Sequence, residues 1–180
     1  MTAPMDAPAS GMDEDKARID HAFPKKRISA AALLRGPDGG ILIVQPRYRE
    51  HWLLPGGVCE ADESPHAAVV REVQEELGLT ISVERLLSVD YLTPADGFSE
   101  AINFLFECSP LGQQEADAIV LDCTELLGCR FADESAMRDL LVPAIMRRLD
   151  AISRAGAAYC ENGMAVAALG GRVKPPSPAM

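Results

Sequence analysis

The 180-residue chain is short of positive charge: 17 Lys and Arg stand against 27 Asp and Glu, for a formal net charge of −10. A surface of that sign repels polyanions, so no nucleic-acid polymer is expected as a partner. The chain also lacks an uninterrupted apolar run near the ~18 residues of a membrane-spanning helix, so no membrane partner is expected. The N-terminus lacks the basic-then-apolar layout of a secretory leader, and no internal repeat is visible. The five cysteines, Cys59, Cys108, Cys123, Cys129 and Cys160, are scattered, odd in number and without a Cys-x-x-Cys pair. That argues against a disulfide framework or a zinc site, and for a reducing, cytoplasmic setting. His21, His51 and His66 form no constellation.

What is present suits one domain. Hydrophobic residues make up 48% of the chain, and its length suffices for a single well-buried core. The expected division is a flexible tail over 1–24, a domain over 25–156, and a mostly disordered C-terminal tail over 157–180. The first tail is rich in Ala, Met, Asp and Pro, and the second ends in a proline-rich stretch without apolar pattern. Within the domain, Ile28–Leu34 and Ile41–Gln45 flank a Gly36-Pro37-Asp38-Gly39-Gly40 turn and read as a hairpin. Ile81–Tyr91, Ile102–Cys108 and Gly128–Phe131 read as further strands. Ser135–Leu141 and Ala144–Ala155 read as helices, with Pro143 opening the second and Ile145, Leu149 and Ile152 forming its apolar stripe.

The most telling stretch runs from Gly57 to Leu79. Ser64 can cap free amides, Pro65 is tolerated at the first helical position, and Gly78 suits a left-handed stop. At about 100° per residue, Val70, Val73 and Leu77 fall on one face of the helix between them. Glu72, Glu75 and Glu76 fall on roughly the opposite face, pointing together into solvent or a cleft. Like charges four apart, Glu72 and Glu76, cost the helix about 0.2–0.5 kcal/mol, and only Arg71 is close in sequence to compensate. A hard divalent cation would relieve that repulsion, because Mg2+ and Mn2+ prefer oxygen ligands.

The wider spacing sharpens this. It reads Gly57, five residues, Glu63, seven residues, Arg71-Glu72, an aliphatic, one residue, Glu75-Glu76, one residue, Gly78 and an aliphatic. The pattern resembles the box of the Nudix hydrolase superfamily of MutT-like proteins, with no departure at any defining position. Trp52-Leu53-Leu54-Pro55-Gly56-Gly57 resembles the usual lead-in to that box. The resemblance implies an α+β fold, an α/β/α sandwich with a mixed β-sheet between helices. It implies hydrolysis of a diphosphate linkage in a small nucleotide substrate, with Mg2+ or Mn2+ as cofactor. Glu72, Glu75 and Glu76 match the metal-ligating carboxylates, and the Gly56 carbonyl matches a frequent backbone ligand. Glu63 and Arg71 match an ion pair that braces loop and helix without reacting. Homodimers are common in the family.

Other assignments are candidates. Glu75, Glu76 and the more distant Glu125 are candidate catalytic acids; Glu125-Leu126-Leu127-Gly128-Cys129-Arg130-Phe131 resembles a family pattern of Glu before an Arg-aromatic strand. Glu115 is the other loop acid. Arg47 and Arg49 are candidates to meet the substrate's charged end, and Trp52 either packs in the core or lines the pocket. The basic Lys25-Lys26-Arg27 cluster reads as a strand flank or solvated turn, with a phosphate-contacting role as the alternative, and Cys59 as a neutral loop residue at a variable box position. Pro94–Glu100 loosely resembles a segment of ADP-ribose-cleaving members, though a turn explains it equally; nucleoside triphosphates stay open. Two other readings stand beside the hydrolase. One is a nucleotide-binding sensor of the same fold without turnover. The other is an isomerase of the isopentenyl diphosphate type, whose positioned cysteine is not visible here.

Overall fold

Strand β1 (Arg27–Leu33) alternates sides in the way a doubly covered strand must. Ala30, Ala32 and the following Leu34 enter one buried cluster, while Leu33 enters a second. Strand β2 (Ile41–Pro46) divides the same way, Leu42 and Val44 against Ile41 and Ile43. The computed structural model describes residues 16, 18–95, 97–155 and 158–166. The remaining strands are β3 (Gly56–Val58), β4 (Val83–Leu92), β5 (Ala101–Cys108), β6 (Leu126–Ala132), β7 (Ala158–Glu161) and β8 (Met164–Ala165). Six of them make a mixed sheet in the order β3-β1-β5-β4-β7-β8, and β2 pairs with β6 in a second, two-stranded sheet. Pairs β1–β5 and β4–β7 are parallel and the rest antiparallel.

Helix α1 (Pro65–Leu77) covers one face through Ala68, Val69, Val73 and Leu77. After a short helix α2 (Gln113–Asp117), helices α3 (Glu134–Leu140) and α4 (Pro143–Ala155) cover the other. They do so through Met137 and Met146, with Ile145, Leu149 and Ile152 packed alongside. The architecture is the expected α/β/α sandwich around a mixed sheet.

Two expectations need correcting. The hairpin of the first two strands exists only at its tip, where Gly36 donates to Gly40 O at 2.8 Å and Leu42 to Leu34 O at 2.9 Å. Beyond it the strands part, because both edges of β1 are already occupied by β3 and β5, and β2 pairs with β6 instead. The segment assigned to a disordered C-terminal tail begins with structure: β7 hydrogen-bonds to the free edge of β4, and Cys160 is fully buried there. Strands of four and two residues are too short to show a period in sequence. Residues 167–180 lie outside the described residues, as do 1–15 and 17 of the N-terminal segment; 18–22 form an exposed helical turn.

Candidate active site

Helix α1 is bounded as its sequence suggests. The Ser64 hydroxyl accepts from Ala67 N at 3.1 Å, and Gly78, at φ 68°, donates to Gln74 O at 3.0 Å. Its buried stripe is Val69, Val73, Glu76 and Leu77, whereas Val70 is half-buried. The expected split of three carboxylates against the apolar face is therefore wrong for one of them. Glu76 points within about 20° of Val69, which carries it inward. Glu72 follows at about 40° from Glu76, but Glu75 diverges by about 100° and faces solvent.

A cleft of about 200 Å³ collects Glu72, Glu76 and Glu125 beside Gly56 and Gly57. Gly56 N donates to Glu76 Oε2 at 2.9 Å. The two glycines are dictated by contact: a Cβ on Gly56, at φ 135°, would collide with Ala30 O, and one on Gly57 with the Glu72 carboxylate. Glu125 arrives on a loop sewn to the end of α1. Val120 N and Asp122 N donate to Leu77 O and Glu76 O, each at 2.9 Å, satisfying carbonyls the helix leaves open.

Arg71 is the hub beside the cleft. It grips Glu63 through Nε and Nη2, both at 2.9 Å, and donates from Nη1 to Glu72 at 3.0 Å and Glu75 at 2.8 Å. Glu75 lies outside the cleft lining, its side chain 58% exposed. Arg47 does not face the cleft: its Nε donates to Cys123 O at 2.8 Å and its N to Glu125 O at 2.9 Å, so it fastens the loop carrying Glu125. Trp52 packs against the second cluster, its N–H on Leu140 O at 3.0 Å, and lines neither cavity. Arg49 does line a cavity, a second one of about 440 Å³ that shares Tyr48, Leu53, Leu54, Gly56, Gly57 and Val58 with the acidic cleft. Its guanidinium lies 5.3 Å from the Phe98 ring, with Arg27 at 5.0 Å. Glu115 is remote, accepting from Gly112 N at 2.7 Å.

Charge in the cleft is poorly balanced. Burial pushes the Glu76 carboxyl up to about 7, with Glu72, Glu125 and Glu75 adding to the rise and the Gly56 amide opposing it. Burial also raises Glu72, although Arg71 pulls the other way. Glu63, gripped by Arg71 and by Glu60 N, is lowered to about 2. Among the described residues no group of three or more His, Cys, Asp and Glu side chains is preassembled as a metal cage. The donor set nonetheless fits a hard cation: it is all carboxylate oxygen, it carries unbalanced negative charge, and the missing Cβ of Gly57 makes room for Glu72.

Four residues beneath the larger cavity were not singled out by sequence. Ser29, Asn103 and Asp90 are register partners across β1, β5 and β4, and Arg148 reaches them from α4. One signal was available: Arg148 sits three residues after Ile145 and four before Ile152, a charge inside the apolar stripe, and it is 4% exposed.

A family model for the NUDIX domain matches residues 25–149. A MutT-like protein of Streptomyces ambofaciens is 35% identical over 133 residues, covering 74% of this chain and 81% of that protein. The crystal structure of a MutT protein from Methanosarcina mazei Go1 superimposes with a TM-score of 0.62 at 22% identity, over 74% of this chain and 97% of that one. A UDP-X diphosphatase structure aligns with 88% of this chain and 76% of its own, at a TM-score of 0.60 and 22% identity. The chain belongs to the Nudix family. It is a Nudix-type pyrophosphohydrolase, a hydrolase acting on acid anhydrides.

Proposed function

We propose that the protein hydrolyses the diphosphate linkage of a nucleoside diphosphate derivative, using Mg2+ or Mn2+. The observation that carries this is the meeting of Glu72, Glu76 and Glu125 in one cleft that opens into a larger cavity rimmed by arginines. Glu72 and Glu76 would hold the cation, with the Gly56 backbone beside them, Glu125 lining the same cleft and Glu75 at the rim behind Arg71. When bound, it would offset the diphosphate's charge, polarise phosphorus and acidify water.

The chain's own groups divide the remaining work. Gly56 N holds the Glu76 carboxylate in place, and the Glu63–Arg71 pair holds Glu72 from behind. Among the described residues Glu125 is the cleft acid whose carboxylate has no hydrogen-bonded partner, which leaves it able to take the proton of the attacking water. Arg27 and Arg49 draw the anionic substrate to the mouth. The setting we favour is the cytoplasm, where the five free thiols persist. The name of the UDP-X diphosphatase agrees with a nucleoside diphosphate derivative as substrate.

The test is release of phosphate or nucleoside monophosphate from nucleotide sugars, ADP-ribose, dinucleoside polyphosphates and nucleoside triphosphates with Mg2+ and Mn2+. Turnover is expected for at least one class, and Glu76→Gln should lower kcat roughly 100-fold or more with the fold intact. Near-normal metal-dependent turnover in that variant would sink the site assignment. Tight binding without turnover across the panel would favour a nucleotide sensor.

A further inference from the structure

The larger cavity has an unusual floor. Ser29, Asn103 and Asp90 lie in register across three strands, and all but Asp90 line the cavity together with Arg148. Arg148 donates to Asp90 Oδ2 from Nε at 2.9 Å and Nη2 at 2.6 Å, and to Asn103 Oδ1 from Nη1 at 2.6 Å. Gly163 N, at the turn between β7 and β8, donates to both Asp90 oxygens at 3.1 Å. Asn103 Nδ2 donates to Ser29 Oγ at 2.9 Å.

These bonds set the polarity of the floor. The guanidinium must meet the Asn103 oxygen, since a flipped amide would set N–H against N–H. Asp90 is spent on Arg148 and the Gly163 amide. What remains toward the cavity is the Ser29 O–H, the second Nδ2 hydrogen of Asn103 and the Arg148 N–H bonds that these contacts leave unused. All are donors. The rest of the lining is largely apolar, and Phe98, 48% exposed at the mouth, has the Arg27 and Arg49 guanidinia over its ring.

Resting on the nucleotide-hydrolase reading above, we infer that the Asn103–Arg148 floor, with Ser29 beside it, reads the substrate's base at purine C6 or pyrimidine C4 and selects the carbonyl of guanine or uracil there over the amino group of adenine or cytosine. An amino group at that ring position pressed against Asn103 Nδ2 and the Arg148 guanidinium would set donor against donor and leave both unpaired, a strong basis for rejection. Asp90 and the β7–β8 turn act here as positioning groups, since they hold Arg148 without lining the cavity.

The test is equilibrium binding of GMP, UMP, AMP and CMP to the full chain without metal, by calorimetry, beside kcat/KM for the matching triphosphates with Mg2+. GMP and UMP should bind about 10- to 100-fold more tightly than AMP and CMP. Ser29→Ala should keep that ranking, since the hydroxyl it removes can donate or accept. Asn103→Asp, of the same shape and still a partner for Arg148, replaces a donor by an acceptor and should shift preference toward AMP and CMP. Equal affinities, a wild-type preference for AMP or CMP, no saturable binding of any monophosphate, or an unchanged ranking in a folded Asn103→Asp protein would each overturn the inference. A ranking that persists without turnover of any class in the nucleotide panel above would leave this inference standing and count against the hydrolase reading alone.

Discussion

Glu76 and Asp90 are both buried acids, 7% and 0% exposed, the first lining the acidic cleft and the second held beneath the floor of the neighbouring cavity. Asp90 has what a buried charge needs: two guanidinium bonds from Arg148 and the Gly163 amide. Glu76 has one backbone amide and faces Glu72 and Glu125. Burial of a charge is tolerable when its partners are built in. One end is therefore complete as folded, and the other is left short of positive charge. Departures from local consistency of this kind gather where a protein does its chemistry. The structural anchor and the unbalanced acid cluster are thus kept apart, while Arg148 serves both the anchor and the cavity floor.

That contrast can be broken first at Arg148. Arg148→Met would strand Asp90 inside the fold, and urea unfolding should show a loss of about 3–5 kcal/mol. An unchanged unfolding midpoint would mean the Asp90 network is not a structural anchor.

The acidic end should respond in the opposite sense. Glu76 has a folded pKa of about 7, above its ordinary value of 4.5, so its contribution to stability is full below the ordinary value and is lost as pH rises through 7. In chelator, the wild type should lose about 2.5 kcal/mol between pH 5 and pH 8 on this account. Glu76→Gln should flatten that part of the profile, and urea titrations at both pH values check it. A wild type that gains stability over this range would refute the assignment.

A smaller effect is expected at Gly57. Gly57→Ala places a methyl where the Glu72 carboxylate sits, and Mn2+ affinity measured by calorimetry should fall about 10- to 100-fold. The fold should survive, because Gly57 lies in a short edge strand. The smallest change belongs to Glu75→Gln. Its ion pair with Arg71 is 58% exposed on the Glu75 side, so metal-free stability should shift by no more than about 0.5 kcal/mol. A loss as large as that of Arg148→Met would place Glu75 inside the network rather than at its rim.

Much of the acidic end was legible in the chain. The cap at Ser64, the stop at Gly78 and the Glu63–Arg71 pairing are local, and helical geometry converts sequence spacing into space almost directly. The helix's orientation was not legible. The choice of Val69 over Val70 for the core rotates Glu76 inward and Glu75 outward, and that depends on what α1 packs against. Arg47 looked like a substrate contact because it precedes the glycine turn, and Trp52 stood open between core and pocket. Each is spent on structure, Arg47 on Cys123 O and Trp52 on the α3–α4 corner.

By itself the sequence determined the family, the box helix and its supply of carboxylates, because those follow from residue types at fixed short offsets. The tertiary structure alone decided which acids share a cleft, and that a Ser–Asn–Asp row meets an arginine beneath the neighbouring cavity. Those contacts join residues 58, 45 and 74 positions apart. Such separations carry no periodic signal, and only the pairing of β1, β5 and β4 under α4 brings them into register.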